Sequence, residues 1–505
     1  MRAAVLVAAA TIVAGIPGIA QASWSATASG SAAAAAFTMP AGATPNATAT
    51  GRDVTVSWPA GTFANGHPVG GYVLTRYDVL TGSPQAVGAA CDGVVSGLSC
   101  TESAVPPGQW SYTVTPVHEG WIGTEGSPSA TIAVESALLS LSSPTTVTSL
   151  PATLTGTVSG YLTGETVTFR LDDPVTGPSL AGSIAPDPIG GEGTAGVSVT
   201  IPAGTSLGSH TVFAVGSLGT VAGAPVDVAD VTPPTVTALA IGKVEGGATG
   251  YVRQGGTYYV YANIVDPGDP ASGVAPASAD VSAVTTGQAA VPMVAGSYVA
   301  GGVNYNHRSA ALTASSPLSA GTKAFTVSAQ DVAGNPATPA ASSVTVDNTR
   351  PSAADIQTAN ASGGTVGRAE TGDTITFTFS EPMEPGSFLA GWDGSATTVV
   401  VRLVSNAGND RIQVRDSADA NTLPFGTVNL GRTDYTTTTR RFLSSTMAMS
   451  GSTIVVTLGT PNGAVTTAAG NGTMTWTPIA TPYDRAANTC TTTARNEGGS
   501  ADREF

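Results

Sequence analysis

Charge is scarce in this chain. Asp, Glu, Lys and Arg together make up 10% of its 505 residues, where roughly a quarter is usual for soluble domains. Lysine is nearly missing, with only Lys243 and Lys323 beside 17 arginines. The net charge is −15, and an acidic surface repels a phosphate backbone, which excludes nucleic acid as a partner class. Only three cysteines are present, and no Cys-x-x-Cys or Cys/His metal spacing occurs among them. Beyond the first 22 residues no run is long and apolar enough to cross a bilayer. No long amphipathic helical period occurs either. The shortage of charge does not mean disorder, because 41% of the residues are hydrophobic, and a disordered chain combines low hydrophobicity with high net charge.

Turn-formers and period-two patterns fill the sequence instead. There are 62 glycines and 34 prolines, close to a fifth of the chain. In Asp53-Val-Thr-Val-Ser-Trp58, Val54, Val56 and Trp58 share one face, and in Thr374-Ile-Thr-Phe-Thr-Phe379, Ile375, Phe377 and Phe379 do the same. His210–Val215 and Ser452–Leu458 are similar short apolar strands. One buried face and one wet face is the mark of an antiparallel sandwich. Turn signals such as Asn65-Gly66, Pro107-Gly108 and Asn462-Gly463 recur between these runs. The fold class expected is all-β: tandem antiparallel β-sandwiches, strung like beads, of about 100 residues each.

The start of the chain reads as an export signal over residues 1–22. Arg2 is followed by the uncharged, mostly apolar stretch Ala3–Ala20, and Ala20-Gln21-Ala22 fits a small-x-small cleavage site. No membrane span is expected once it is removed. Export makes a Cys91–Cys100 disulfide chemically reasonable, closing a hairpin-like loop that contributes about 2–3 kcal/mol. Cys490 is then left over, as a buried thiol or an intermolecular link. Arginine in place of lysine, with abundant Ala and Gly, suggests a high-GC bacterial source. Residues 23–42 are Ala/Ser/Gly-rich and read as a linker or arm. The proline-bearing segments Asp230-Val-Thr-Pro-Pro234 and Asp347-Asn-Thr-Arg-Pro351 interrupt sheets. The expected modules are 43–135, 137–231, 232–349 and 350–496, with a polar tail at 497–505.

Residues 43–135 resemble a fibronectin type III domain. The likeness rests on Trp58 in its early strand, the run Pro68–Tyr77, and Pro107–Val117 with Tyr112 at the tyrosine-corner position. Residues 137–231 look like a bacterial Ig-like module, through Thr163–Phe169 and Gly208–Val215. Residues 232–349 resemble a second Ig-like type, with Ser272-Gly-Val274 and the turn Asp331-Val-Ala-Gly-Asn335. A decayed copy of that turn, Asp484-Arg-Ala-Ala-Asn488, closes the last module, which also carries Phe379-Ser-Glu-Pro-Met383, similar to the FSEPM hallmark of bacterial surface Ig-like modules. Ala22-Ser-Trp-Ser-Ala-Thr-Ala28 is similar to the start of camelysin/TasA-type fibre proteins. That likeness implies assembly by a lent N-terminal strand.

Candidate chemistry is sparse. Gly204-Thr-Ser-Leu-Gly208 is a formal G-x-S-x-G with His210 nearby, but it precedes a strand rather than a helix, so the nucleophile-elbow context fails. None of the four histidines has an orienting partner that the sequence points to. Two acidic loops are calcium candidates: Asp266 and Asp269, with Asp331 and Asn335 as contributors, and Asp416 and Asp419 beside Asn421. The competing reading is turn chemistry, in which Asp and Asn bond their own backbone. No other cofactor is expected. Trp121 and Trp392, each in glycine-flanked loops, are candidate glycan contacts. The functional expectation is a non-enzymatic, exported cell-surface structural or adhesive protein. Its partner would be a cell-wall or extracellular polymer. The alternatives are a fibre subunit binding other copies of itself, and a secreted glycan-binding accessory protein.

Overall fold

The computed structural model describes residues 36–142 and 144–505. The signal and most of the arm lie outside the described residues. Strands dominate, and the one helical element among the described residues is a 3-10 turn at Pro385–Ser387. No helix among them is long and apolar enough to cross a membrane. Four separate hydrophobic cores occupy four consecutive stretches of chain. The chain divides into two compact units, one ending at Asp230 and one beginning at Val231. Each unit holds two sandwiches, and the expected class of tandem antiparallel sandwiches is the fold observed.

The first sandwich faces a three-stranded sheet (Asn46–Thr50, Asp53–Ser57, Ser99–Glu102) with a second sheet built on Gly71–Asp78 and Gly108–His118. The alternation in the sequence is realised: Val54 and Val56 are fully buried and Trp58 follows them into the core. Cys91 and Cys100 are bonded, with Cα atoms 5.6 Å apart. Tyr112, at the tyrosine-corner position of the family likeness, is fully buried, and its hydroxyl donates to Glu102 Oε2 at 2.7 Å. The same carboxylate takes the Arg76 guanidinium and the Gly88 N–H, and Arg76 stacks 4.6 Å from the Trp110 ring centre. A buried charge needs this many partners to offset its desolvation. Burial, and after it Glu102, pushes the Tyr112 phenol far up.

The second sandwich is built around Ala152–Ser159, Ala195–Ile201, Gly208–Gly216 and Val221–Val228, with strict in-out alternation along the last. In the third, Thr235–Lys243, Thr257–Val265, Val303–Ser309 and Val291–Ala300 lie side by side in one sheet, and Gly321–Ser328 pairs with Ala340–Val346. Both modules add a short parallel pair to their last strand, Thr146–Val147 in one and Tyr251–Val252 in the other. The fourth has the largest core, where Phe377, Phe379, Phe388, Phe425 and Trp476 pack at ring separations of 4.5–5.6 Å. The segment read as a polar tail is part of this sandwich. Glu504 and Phe505 are buried, Gly367 N–H donates to the Phe505 carbonyl at 2.6 Å, and Gly472 N–H donates to the Asp502 carbonyl at 2.8 Å.

Within each unit the two sandwiches touch. In the first, the Thr50–Asp53 turn meets the second module: Thr163 Oγ1 donates to Asp53 Oδ2 at 3.1 Å, and Arg52 reaches Thr220 Oγ1 at 3.4 Å. In the second unit, the Asp347–Pro351 connection is pinned by Arg350, whose guanidinium donates to the Thr489 and Cys490 carbonyls.

Candidate functional site

Trp121 is presented to solvent by local backbone geometry. Glu119 and Gly120 both have positive φ, 44° and 90°, the conformation that matches a two-residue turn to the twist of its flanking strands. The hairpin pairs His118 with Trp121 and Val117 with Ile122. Trp121 is 53% exposed and Ile122 73%. With Val73, Val94 and Val117 they line an open cleft at the sheet edge. Trp392 is different, and the glycan expectation for it is corrected. Gly391 and Gly394, both at positive φ, fold the loop over the indole. Its Nε1 donates to the Ser395 carbonyl at 2.6 Å and the ring joins the core.

A second aromatic surface was missed in the sequence. On the third sandwich the Arg308 guanidinium lies 4.2 Å from the Tyr259 ring centre and 4.4 Å from that of Tyr298. Tyr261 and Tyr305 pack beside them at 5.4 Å. The period-two spacing of Tyr259 and Tyr261 was the available signal. It could not be read without knowing that Arg308 pairs opposite Tyr261 in the neighbouring strand.

The acidic loops resolve mainly into turn chemistry. Asp419 is taken by three guanidiniums: Arg402 at 2.7 Å, Arg415 at 2.7 Å and Arg441 at 3.3 Å. Its hydrogen bond with Arg402 holds the carboxyl below the usual range against the opposing effect of burial. Asp416 accepts from Ala420 N–H and from the Asn421 backbone and side chain. A metal ion would have to displace these donors and face the arginines, so the calcium expectation at Asp416 and Asp419 is withdrawn. Asp266 accepts the Gly268 and Gly273 N–H groups and comes within 4.8 Å of Asp331. Asp269 is exposed and joins no such group among the described residues. Asp331 spans its own turn, accepting from the Asn335 backbone and side chain, each at 2.7 Å. Asp484 and Asn488 repeat that geometry at 2.8 Å. The decayed copy therefore makes the same turn, with Ala487 at φ 68° where the intact copy has Gly334 at 96°.

His210 does have an orienting partner, which corrects the sequence reading. Asp172 Oδ2 lies 2.9 Å from Nδ1, and Nε2 is 3.3 Å from Ser206 Oγ. The order resembles a nucleophile relay, but Nε2 is closer to the Ser206 carbonyl, at 2.8 Å. Acceptors at both ring nitrogens favour the doubly protonated ring, which cannot take a proton from a hydroxyl. Ser206 sits in the loop between two strands, Ala195–Ile201 and Gly208–Gly216. The hydrogen bond to Asp172, opposed by burial and aided by the Ser206 carbonyl, raises the imidazole above its usual range.

The junction inside the second unit is densely polar. Lys243 Nζ meets Glu384 Oε2 at 2.7 Å with both side chains nearly excluded from water. Glu384 also accepts the Ala248 N–H at 2.9 Å, and Lys243 donates to the Ala248 carbonyl at 3.2 Å. Gly247 is required here, since a Cβ would lie 2.3 Å from the Glu384 carboxylate. Glu384 directly follows the FSEPM motif. Within that motif Phe379 and Met383 are core residues, while Glu381 comes within 4.8 Å of Asp347 and Asp484. Burial first, then Asp347 and Asp484, pushes the Glu381 carboxyl up to about 8. The motif thus supplies core at both ends, and the residue that follows it supplies the joint. Cys490 is fully buried and its thiol is pushed up to about 11 by burial, which favours the buried-thiol reading over an intermolecular link.

These sandwiches and their packed joints define a protein of tandem antiparallel β-sandwiches. No protein-family model matches the chain, and no curated protein matches it. Among solved structures, three fibronectin domains of chicken CNTN1 match at 12% identity over 61% of this chain and 100% of that one, with a TM-score of 0.21. A three-domain titin fragment matches at 11% identity over 73% and 99%, with a TM-score of 0.27. A Bacteroides ovatus protein, SGBP-B, solved in complex with a mixed-linkage heptasaccharide, matches at 14% identity over 83% and 88%, with a TM-score of 0.15.

Proposed function

We propose that this chain is a non-enzymatic, exported cell-surface protein of structural or adhesive type, whose modules space and present a binding edge toward a cell-wall or extracellular polymer. The observation that carries this reading is the construction of each unit. Two sandwiches are joined by packed polar contacts rather than by a free linker, as at Lys243–Glu384, which gives a stiff spacer. Fold alone does not give function, so the test is on the native host. Deleting the gene should leave growth unchanged and reduce attachment to surfaces or to neighbouring cells. Attachment equal to the parent strain refutes the proposal.

A glycan-binding role is favoured by one specific feature, the exposed Trp121–Ile122 edge beside Val94. Indole faces stack on sugar rings, and large exposed apolar patches mark contact sites. Trp121→Ala should weaken binding to cell-wall polysaccharide at least tenfold without lowering the melting temperature, as read by pull-down on purified wall material and by calorimetry. Equal retention by both proteins would end this reading. The fibre-subunit alternative rests on residues 23–37, nearly all outside the described residues.

A further inference from the structure

We propose that Glu497, Asp502 and Glu504 form a binding site for a divalent cation of the calcium class, tying the last nine residues onto the fourth sandwich. This inference is independent of what the modules adhere to.

Their carboxylate oxygens lie within 4.8 Å of one another. Proximity alone would mean little, but Glu504 adds a second observation. It is 1% exposed. Its Oε2 accepts the Thr358 hydroxyl at 2.6 Å, while Oε1, also out of solvent, has no donor of its own, and the Glu497 carboxylate lies beside the group. A buried carboxylate oxygen left without a donor is costly, and a cation shared with the two neighbouring carboxylates removes that cost. No Lys or Arg forms an ion pair with any of the three among the described residues. Asp419, by contrast, is neutralised by arginines.

The backbone holds the three groups in place. Glu497 N–H donates to the Met474 carbonyl at 3.0 Å, and Glu504 N–H donates to the Tyr435 hydroxyl at 2.8 Å. Glu497 Oε1 is engaged by the Met474 N–H, which leaves Oε2 for the ion. Asp502 is exposed and gives access to water. The donor set is all oxygen, which selects a hard cation over zinc. Its irregular spread and carboxylate content suit calcium, with water completing six to eight ligands, better than octahedral magnesium. A half-wet site of this kind belongs to the weak range of extracellular modules, with Kd on the order of 0.1–1 mM.

The test is a calcium chloride titration of the chelator-stripped full chain by isothermal calorimetry, paired with thermal melting in calcium and in chelator. Calcium should bind in that range and raise the melting midpoint of the second unit. D502N, at an exposed position, should lose at least tenfold in affinity and most of the midpoint shift. E504Q should do the same, whereas E381Q, in the other acidic cluster of this unit, should keep both. Retention of binding by D502N, loss of binding in E381Q, or no heat up to about 10 mM calcium would overturn the proposal.

Discussion

At the scale of single residues, polar side chains in this molecule chiefly fix turns, and their consequences can be measured. His210 has a raised folded-state pKa, from its bond to Asp172. Its contribution is therefore fully present below the unfolded value, about 6.5, and is lost as pH rises through the folded value. Asp172 works in the opposite sense. Burial acts upward on it, but the His210 and Thr211 bonds outweigh this and lower its pKa, so its share disappears as pH falls through that lowered value. The pair should be worth most between about pH 4 and 6.5. Because Asp172 is half-exposed, the effect should stay near or below about 0.5 kcal/mol. Urea unfolding of the parent and of His210→Gln should differ at pH 5.5 and converge by pH 8.5; a constant difference would show that the charge is not the cause. At Gly334, with φ 96° and open space around a would-be Cβ, Gly334→Ala should cost about 1–2 kcal/mol, read from the same unfolding curves. Ala487 shows that the turn can bear this strain elsewhere.

Elements were legible where one strand faces one core. The period-two runs at Asp53–Trp58 and Thr374–Phe379 appear with the predicted faces inward. The fibronectin-like likeness singled out Tyr112, but not the Arg76–Glu102 pair beside its hydroxyl, because those partners come from different strands. Candidate sites were less legible for the same reason. Trp121 and Trp392 look alike in sequence, each flanked by glycines, yet one sits on an outward hairpin and the other is roofed by its own loop. His210 and Asp172 are 38 positions apart and meet only because Val167–Leu171 pairs with Gly208–Gly216. The Glu119-Gly120 turn yields a prediction at this scale. Gly120→Val puts a β-branched residue at φ 90° and should cost about 1–2 kcal/mol. It should also disorder the Trp121 edge, seen as a red-shifted, quenched tryptophan emission component against Trp121→Ala as reference.

At the scale of the whole unit, the joint of the second unit holds a buried ion pair of its own. Lys243 is one of two lysines in the chain, and it is spent inside the second unit against Glu384. Glu384→Ala leaves a buried ammonium unpaired and should cost about 3–5 kcal/mol. Lys243→Met with Glu384→Leu should recover most of that loss, since apolar replacement of both partners removes the desolvation problem. Calorimetry of the three variants checks both statements, and a double variant as unstable as the single one would contradict them. The first unit uses a lighter device, with Gly51 set 2.9 Å from the Gly191 carbonyl when measured from a would-be Cβ.

The Lys243–Glu384 joint also has a mechanical meaning. Under tension along the chain, a latch held by one ion pair and a few hydrogen bonds yields before either flanking sandwich, whose strands must shear many bonds together. Its opening leaves the modules joined through the Asp347–Pro351 connection, which Arg350 and the Asn488 side chain hold separately. The unit would thus give first at the joint, with both cores intact.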